Sequence, residues 1–277
     1  MGRIGEWAPL AGRFPSLANF LSPWGKALAG VASARSLPRF RQSFRSEFKA
    51  GKAGEPVVLF DDTFNNHFRP QTAIAAQKVL EDAGCKVELP REHVCCGRPY
   101  YDYGMLDRAK AALERVLDVV DLSKPLVVLE PGCLSVFRDE MKQLLPDDPR
   151  ARKLNAMSLG EFLVTRNFHT RKKGKLLVHS HCHQKALWGA AADLKVLRDA
   201  GCEVIAPDTG CCGMAGSFGY RPEFYEASKR IAGLALLPAL AAAPAARVVA
   251  SGFSCREQIE SLAGRPTLHL AEALHDG

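Results

Sequence analysis

The sequence predicts an α/β protein built as two tandem, pseudo-twofold-related repeats, each a small, mostly parallel sheet flanked by helices. Three observations carry this. The triplet Cys-Cys-Gly occurs twice, at Cys95-Cys96-Gly97 and Cys211-Cys212-Gly213. Each copy stands at the same place in one order of strand, helix, strand, triplet loop, helix, strand and cysteine. The two orders are offset by about 120 residues, and self-similarity at a fixed offset reads as duplication.

The elements follow in chain order. Residues 1–55 form a basic arm and linker, 56–170 the first repeat and 171–277 the second. Eight Lys or Arg fall in residues 1–50 against Glu6 and Glu47, which accounts for most of the net charge of +7. The body is left nearly neutral, without a basic patch, which excludes nucleic acid as a partner. Trp7, Phe14, Phe20, Leu21, Trp24 and Phe40 interleave with the arm's charges. Such an arm either packs across its own domain or docks on a partner protein or anionic lipid. Deleting residues 1–50 is expected to weaken coupling to a partner more than folding.

In the first repeat, Val57-Val58-Leu59-Phe60 reads as a strand. Ala73, Ile74, Ala76, Val79 and Leu80 then mark a helix that ends at Gly84. Cys85 to Leu89 is a strand, Met105 to Val119 a helix, Leu126 to Leu129 a strand and Leu134 to Leu145 a helix. Arg166 to Gly174, polar and basic, reads as a short linker between closely packed halves. The second repeat restates the order with Leu176-Leu177-Val178-His179, Cys202 to Ala206, a long Ala/Leu-rich helix over Pro222–Ala243 and Arg247 to Ala250. Helices between strands imply parallel sheets, whose carboxyl-end loops gather at one edge where ligands collect.

That edge receives seven of the nine cysteines. Clustered and odd in number, they do not fit a secreted disulfide framework, so a reducing cytoplasm is expected, with the arm available to the inner face of a membrane. Cys182, Cys211, Cys212 and Cys255 suit a 4Fe-4S cluster or a tetrahedral zinc. The first repeat offers Cys95, Cys96 and Cys133, with Asp61-Asp62-Thr63 where Cys182 would fall, so an aspartate oxygen is the available substitute. Cys85 and Cys202, between helix ends and strands, read as buried free thiols. His181 and His183, together with His179, and His93 in the first repeat, read as hydrogen-bond donors to a cluster sulfur or backbone rather than ligands. Gly97 and Gly213 let backbone amides approach sulfur closely. The glycine-rich stretch Gly210 to Gly219 matches neither a dinucleotide fingerprint nor a Walker loop.

These residues carry a resemblance. The two triplets, Leu129-Glu130-Pro131-Gly132-Cys133, His181-Cys182-His183-Gln184-Lys185 and Ser254-Cys255-Arg256-Glu257-Gln258-Ile259 resemble the cysteine-rich CCG domains of heterodisulfide reductase and glycolate oxidase iron–sulfur subunits. Phe60-Asp61-Asp62-Thr63-Phe64-Asn65-Asn66, Cys96-Gly97-Arg98-Pro99 and Gly210 to Gly219 look like the C-terminal iron–sulfur region of bacterial FAD-linked D-2-hydroxy-acid dehydrogenases of the D-lactate and D-2-hydroxyglutarate type. The resemblance implies an electron-transfer module that takes electrons from FAD on a partner domain or subunit. It further implies a ferredoxin-like iron–sulfur partner and a quinone-linked or other downstream acceptor. A non-redox interaction module holding structural zinc is the alternative. The chain departs from the fullest pattern, in which a Cys-x-x-Cys pair closes each unit: Glu130 and Gly252 stand where the first cysteine of each pair would be.

Overall fold

A computed structural model describes residues 1–51 and 53–275. The first sheet comprises β1 (Glu55–Phe60), β2 (Cys85–Glu88), β3 (Leu126–Val128) and β4 (Ala156–Ser158), in the order β2-β1-β3-β4 and wholly parallel. The second comprises β5 (Lys175–His179), β6 (Glu203–Ile205), β7 (Arg247–Ala250) and β8 (Thr267–Leu268), in the order β6-β5-β7-β8 and again parallel. The second order restates the first strand for strand, so the duplication read from the cysteines is a duplication of topology.

The central strands are continuous apolar runs because helices cover both faces of each sheet. Val57 to Phe60 and Leu176 to His179 are buried along their whole length. The helix Pro70–Asp82 opens on a proline and buries Ala73, Ala76, Val79 and Leu80; Gly84, at φ +81°, turns the chain into β2. The helix Leu106–Val119 buries Ala109, Leu113, Val116 and Leu117. Two expected helices differ in detail. The third helix of the first repeat starts earlier, as Pro131–Ser135, and passes through a π-helical turn, Val136–Glu140, into Met141–Leu144. The long Ala/Leu-rich helix breaks at Ala235 into Tyr225–Leu234 and Leu236–Ala242.

The halves interlock. The helix Leu159–Thr165, opened by a Ser158/Glu161 capping box, packs on Ala191–Asp199 of the second half, and Leu270–His275 packs on Pro70–Asp82 of the first. One apolar core therefore draws Leu59, Leu80 and Leu163 together with Val178, Leu197 and Leu274. Residues 166–174 carry no helix or strand. Polar groups pin the same interface: fully buried Arg256 donates to Thr72 Oγ1 (2.9 Å) and Asn65 Oδ1 (3.1 Å), and Arg69 donates to Glu257 and Glu260.

The arm packs across this body. Arg35 is buried and donates to the Gly219 carbonyl and to Ser228 and Ser261; Phe44 is buried, and Arg45 pairs with Asp61 at 2.7 Å. Val31, Arg35 and Phe44 thus anchor the arm in the body, so of the two readings of the arm this stretch follows the one packed across its own domain. The helices Ile4–Ala11 and Pro15–Leu28 lie outermost. Asn19 exchanges two hydrogen bonds with the backbone of Phe40, which leaves Trp7, Leu10, Phe14, Leu17, Phe20, Leu21 and Trp24 exposed.

Candidate metal centre

In the second half, β5 ends at His179, His181 caps the next helix and Cys182 is that helix's first residue. Cys211 and Cys212 lie in the loop after β6. The loop closes at Gly213, φ +83°, where a Cβ would stand 2.3 Å from the Ser228 carbonyl oxygen. The turn aims backbone at sulfur: Gly213 N–H donates to Cys211 Sγ (3.3 Å) and Met214 N–H to Cys212 Sγ (3.5 Å). Cys255 lies in the first turn of Phe253–Ala263, where the helix dipole favours a thiolate.

The four sulfurs follow one another in a row, Cys182 beside Cys211, Cys211 beside Cys212 and Cys212 beside Cys255. The neighbouring Cys182 thiol holds Cys211 below the ordinary thiol range, and the neighbouring Cys212 thiol does the same for Cys255. Cys182 and Cys212 are raised by their neighbouring thiols and by burial. Thiolate is the form that binds metal, so the row is prepared for one. Cys212 and Cys255 are buried against Val31, Met214, Tyr220 and Ile259, while Cys182 and Cys211 are partly exposed. The site therefore has a closed floor and an open rim. This donor set, with its backbone N–H groups, fits a thiolate-bound metal or cluster.

The structure separates the three histidines. His181 Nδ1 accepts from His183 N–H (3.2 Å), and its ring lies over Gly252, where a Cβ would come within 2.4 Å of it. Burial lowers its pKa. His183 turns to the other half, with Nδ1 3.0 Å from Ser135 Oγ and Nε2 3.5 Å from Arg98, and burial lowers its pKa to about 4. His181 Nδ1 also lies 4.0 Å from Cys182 Sγ, but His179 is the one set between two sulfurs: a ring nitrogen and the Cys212 and Cys255 sulfurs all lie within 4.8 Å of one another. Sequence reasoning grouped the three and missed this. The available signal was that β5 ends on histidine where β1 ends on Phe60.

The first half keeps the plan and lacks donors. Thr63 is the first residue of its helix, as Cys182 is, and its hydroxyl lies beside Cys95; Cys95, Cys96 and Cys133 continue the row. The two carboxylates that stand before Thr63 both have other partners. Asp61 binds Arg45 and His93 (3.1 Å), and Asp62 accepts from the N–H groups of Phe64 and Asn65 (3.0 Å each). Gly97, φ +87°, repeats the Gly213 turn. Burial pushes the Cys133 thiol up to about 12 and also raises Cys96. The helix Ile4–Ala11 covers the row: a Cβ on Gly5 would lie 2.7 Å from Cys95 Cβ. Cys85 and Cys202 are buried away from both rows, in the shared apolar core.

The two cysteine edges face each other. Besides the His183 contacts, Tyr103 and Ser217 hydroxyls meet at 2.8 Å. Glu130 bridges the halves most directly. Its carboxylate accepts from Gly132 N–H (3.3 Å), capping the helix of Cys133, and from Phe253 N–H (2.8 Å), which opens the helix of Cys255. Gly252, the matching cap residue, has no side chain to offer. Burial, with Asp62 nearby, pushes Glu130 up to about 8.

Two interlocked α/β units, each presenting a Cys-Cys-Gly loop beside a helix-borne cysteine, define a duplicated cysteine-rich protein. The chain belongs to the CCG cysteine-rich domain family, which matches residues 58–138 and 177–260, once on each sheet. It is 27% identical over 263 residues to one of the subunits of anaerobic glycerol-3-phosphate dehydrogenase from Escherichia coli K12, covering 87% of this chain and 66% of that protein. It therefore spans just under two thirds of that relative. It is 31% identical over 176 residues to lactate utilization protein A of Bacillus velezensis, covering 58% of this chain and 74% of the relative. The Bacillus subtilis protein of the same name is 28% identical over 180 residues, with the same two shares.

Proposed function

We propose that this chain is the iron–sulfur electron-transfer module of a FAD-linked dehydrogenase of D-2-hydroxy acids, of the D-lactate, D-2-hydroxyglutarate or glycolate class. The observation that carries this is the row of Cys182, Cys211, Cys212 and Cys255, four thiols from three separate segments on one sheet edge. An iron–sulfur cluster supplies one-electron transfer when bound. The chain's own residues would hold it with thiolates, tune it with the Gly213 and Met214 N–H groups and keep water from its floor with Met214, Tyr220 and Ile259. The family relatives include a dehydrogenase subunit and a lactate utilization protein, in keeping with a redox setting.

A flavin-bearing subunit or domain is the proposed electron donor, with a ferredoxin-like iron–sulfur domain beside it. The exposed row from Trp7 to Trp24 supports a docked protein partner. At roughly 150–250 Å² per aromatic side chain, such a row approaches one side of a standard interface. Its local charge is small, and Arg35 and Arg45 are consumed internally, which favours a protein face over anionic lipid. Among the described residues no helix is long and apolar enough to cross a membrane. The proposed setting is the cytoplasm, beside a quinone-linked or other acceptor.

The test mixes the reconstituted chain with the flavoprotein and D-lactate or D-2-hydroxyglutarate under anaerobic conditions. The expected result is substrate-dependent bleaching of the chain's absorption at about 400 nm. Bleaching should slow when Phe20 and Trp24 are replaced by serine. Steady oxidation of substrate by the chain without flavin would overturn the assignment.

A further inference from the structure

We propose that His179 is itself a ligand of the second-half centre, its Nε2 joining the cysteine sulfurs. The proposal rests on the iron–sulfur reading above and concerns which atoms hold the cluster. His179 is 1% exposed at the end of β5, and its Nδ1 lies 2.5 Å from the hydroxyl of Thr209, also buried. Its Nε2 is buried and has no hydrogen-bond partner. A buried polar atom left unpaired costs about 1–3 kcal/mol, so such atoms persist where a ligand satisfies them. Among the described residues, His179, Cys212 and Cys255 are the one group whose donor atoms lie within 4.8 Å of one another.

The Thr209 contact is the kind that a ligating histidine requires. With the proton on Nδ1 and donated to Thr209 Oγ1, the Nε2 lone pair is free for a metal, and the ring's orientation is fixed. The first half supplies an internal comparison. Phe60 stands where His179 does, packed edge-on against Phe137 at 5.1 Å, and Thr63 stands where Cys182 does. The counterparts of His179 and Cys182 are thus absent together there, as expected if both serve one centre. A neutral nitrogen among thiolates raises a cluster's reduction potential, as in mixed histidine–cysteine centres.

The test uses the full chain, reconstituted anaerobically with iron and sulfide, reduced, and carrying ¹⁵N-labelled histidine for pulsed electron paramagnetic resonance. The expected result is a strongly coupled histidine nitrogen. It should disappear in His179→Phe, a replacement that the first half accommodates at Phe60, while His179→Cys should keep the iron and lower the potential. Thr209→Val should retain iron and alter the nitrogen coupling. An iron-loaded wild-type chain without a coupled histidine nitrogen would overturn this proposal and leave the functional reading standing. A chain that takes up no iron would overturn both.

Discussion

At His269 the ring has room for one proton. Nδ1 accepts from Ala271 N–H (3.0 Å) and Nε2 faces the Leu129 carbonyl (3.2 Å), so the neutral form is held. Burial, helped by Arg256, lowers its pKa to about 3, against about 6.5 for an unfolded histidine. The folded state therefore binds fewer protons than the unfolded state between those values. Stability from this residue is complete above pH of about 6.5 and is lost at about 1.4 kcal/mol per pH unit as pH falls toward 3. His269→Gln should flatten the pH dependence of urea unfolding in that window by about one proton, and an unchanged slope would refute the assignment. The seven edge cysteines were legible because a doubled Cys-Cys-Gly is hard to explain by packing. His179 was not, because alternation along a strand says which side a residue takes and not which of three histidines lies level with the sulfurs. For Asp61 and Asp62 the sequence shows a carboxylate and hides the arginine or helix end that it binds.

Among the elements, the two cysteine-bearing helices share a cap. Glu130 serves the helix of Cys133 and, across the interface, that of Cys255, whose own cap residue is Gly252 beneath the His181 ring. Each N–H would otherwise be a buried orphan. Glu130→Gln keeps the volume but turns an N–H₂ group toward one of the two donors. Above pH of about 8, where Glu130 is ionised, the change should destabilise the metal-free chain by about 1–3 kcal/mol in urea unfolding. A change within error would mean that the double cap has no energetic weight. Strands and most helices were legible from periodicity and glycine stops. The π turn at Val136–Glu140 was not, because neither Gly nor Pro marks it, whereas the break at Ala235 had a signal that went unread: Pro238 has no N–H for the Leu234 carbonyl four residues back.

For the molecule as a whole, the repeat was legible and the interlocking was not. Nothing in the local pattern of Leu159–Thr165 or Leu270–His275 says that each packs on the opposite half, since either half offers an apolar helix to receive it. The consequence is one core and two cysteine rows that differ in chemistry. The second has four sulfurs and an open rim; the first has three, a threonine and the helix Ile4–Ala11 laid over Cys95. The central claim is that the second row holds an iron–sulfur cluster. Its most direct test is iron and acid-labile sulfide per chain after anaerobic purification, in the wild type and in single Cys→Ser variants. The expected result is a brown protein that loses most of its iron on replacing Cys182, Cys211, Cys212 or Cys255 and keeps it on replacing Cys85 or Cys202. A colourless zinc protein, or equal iron in wild type and Cys211→Ser, would contradict it.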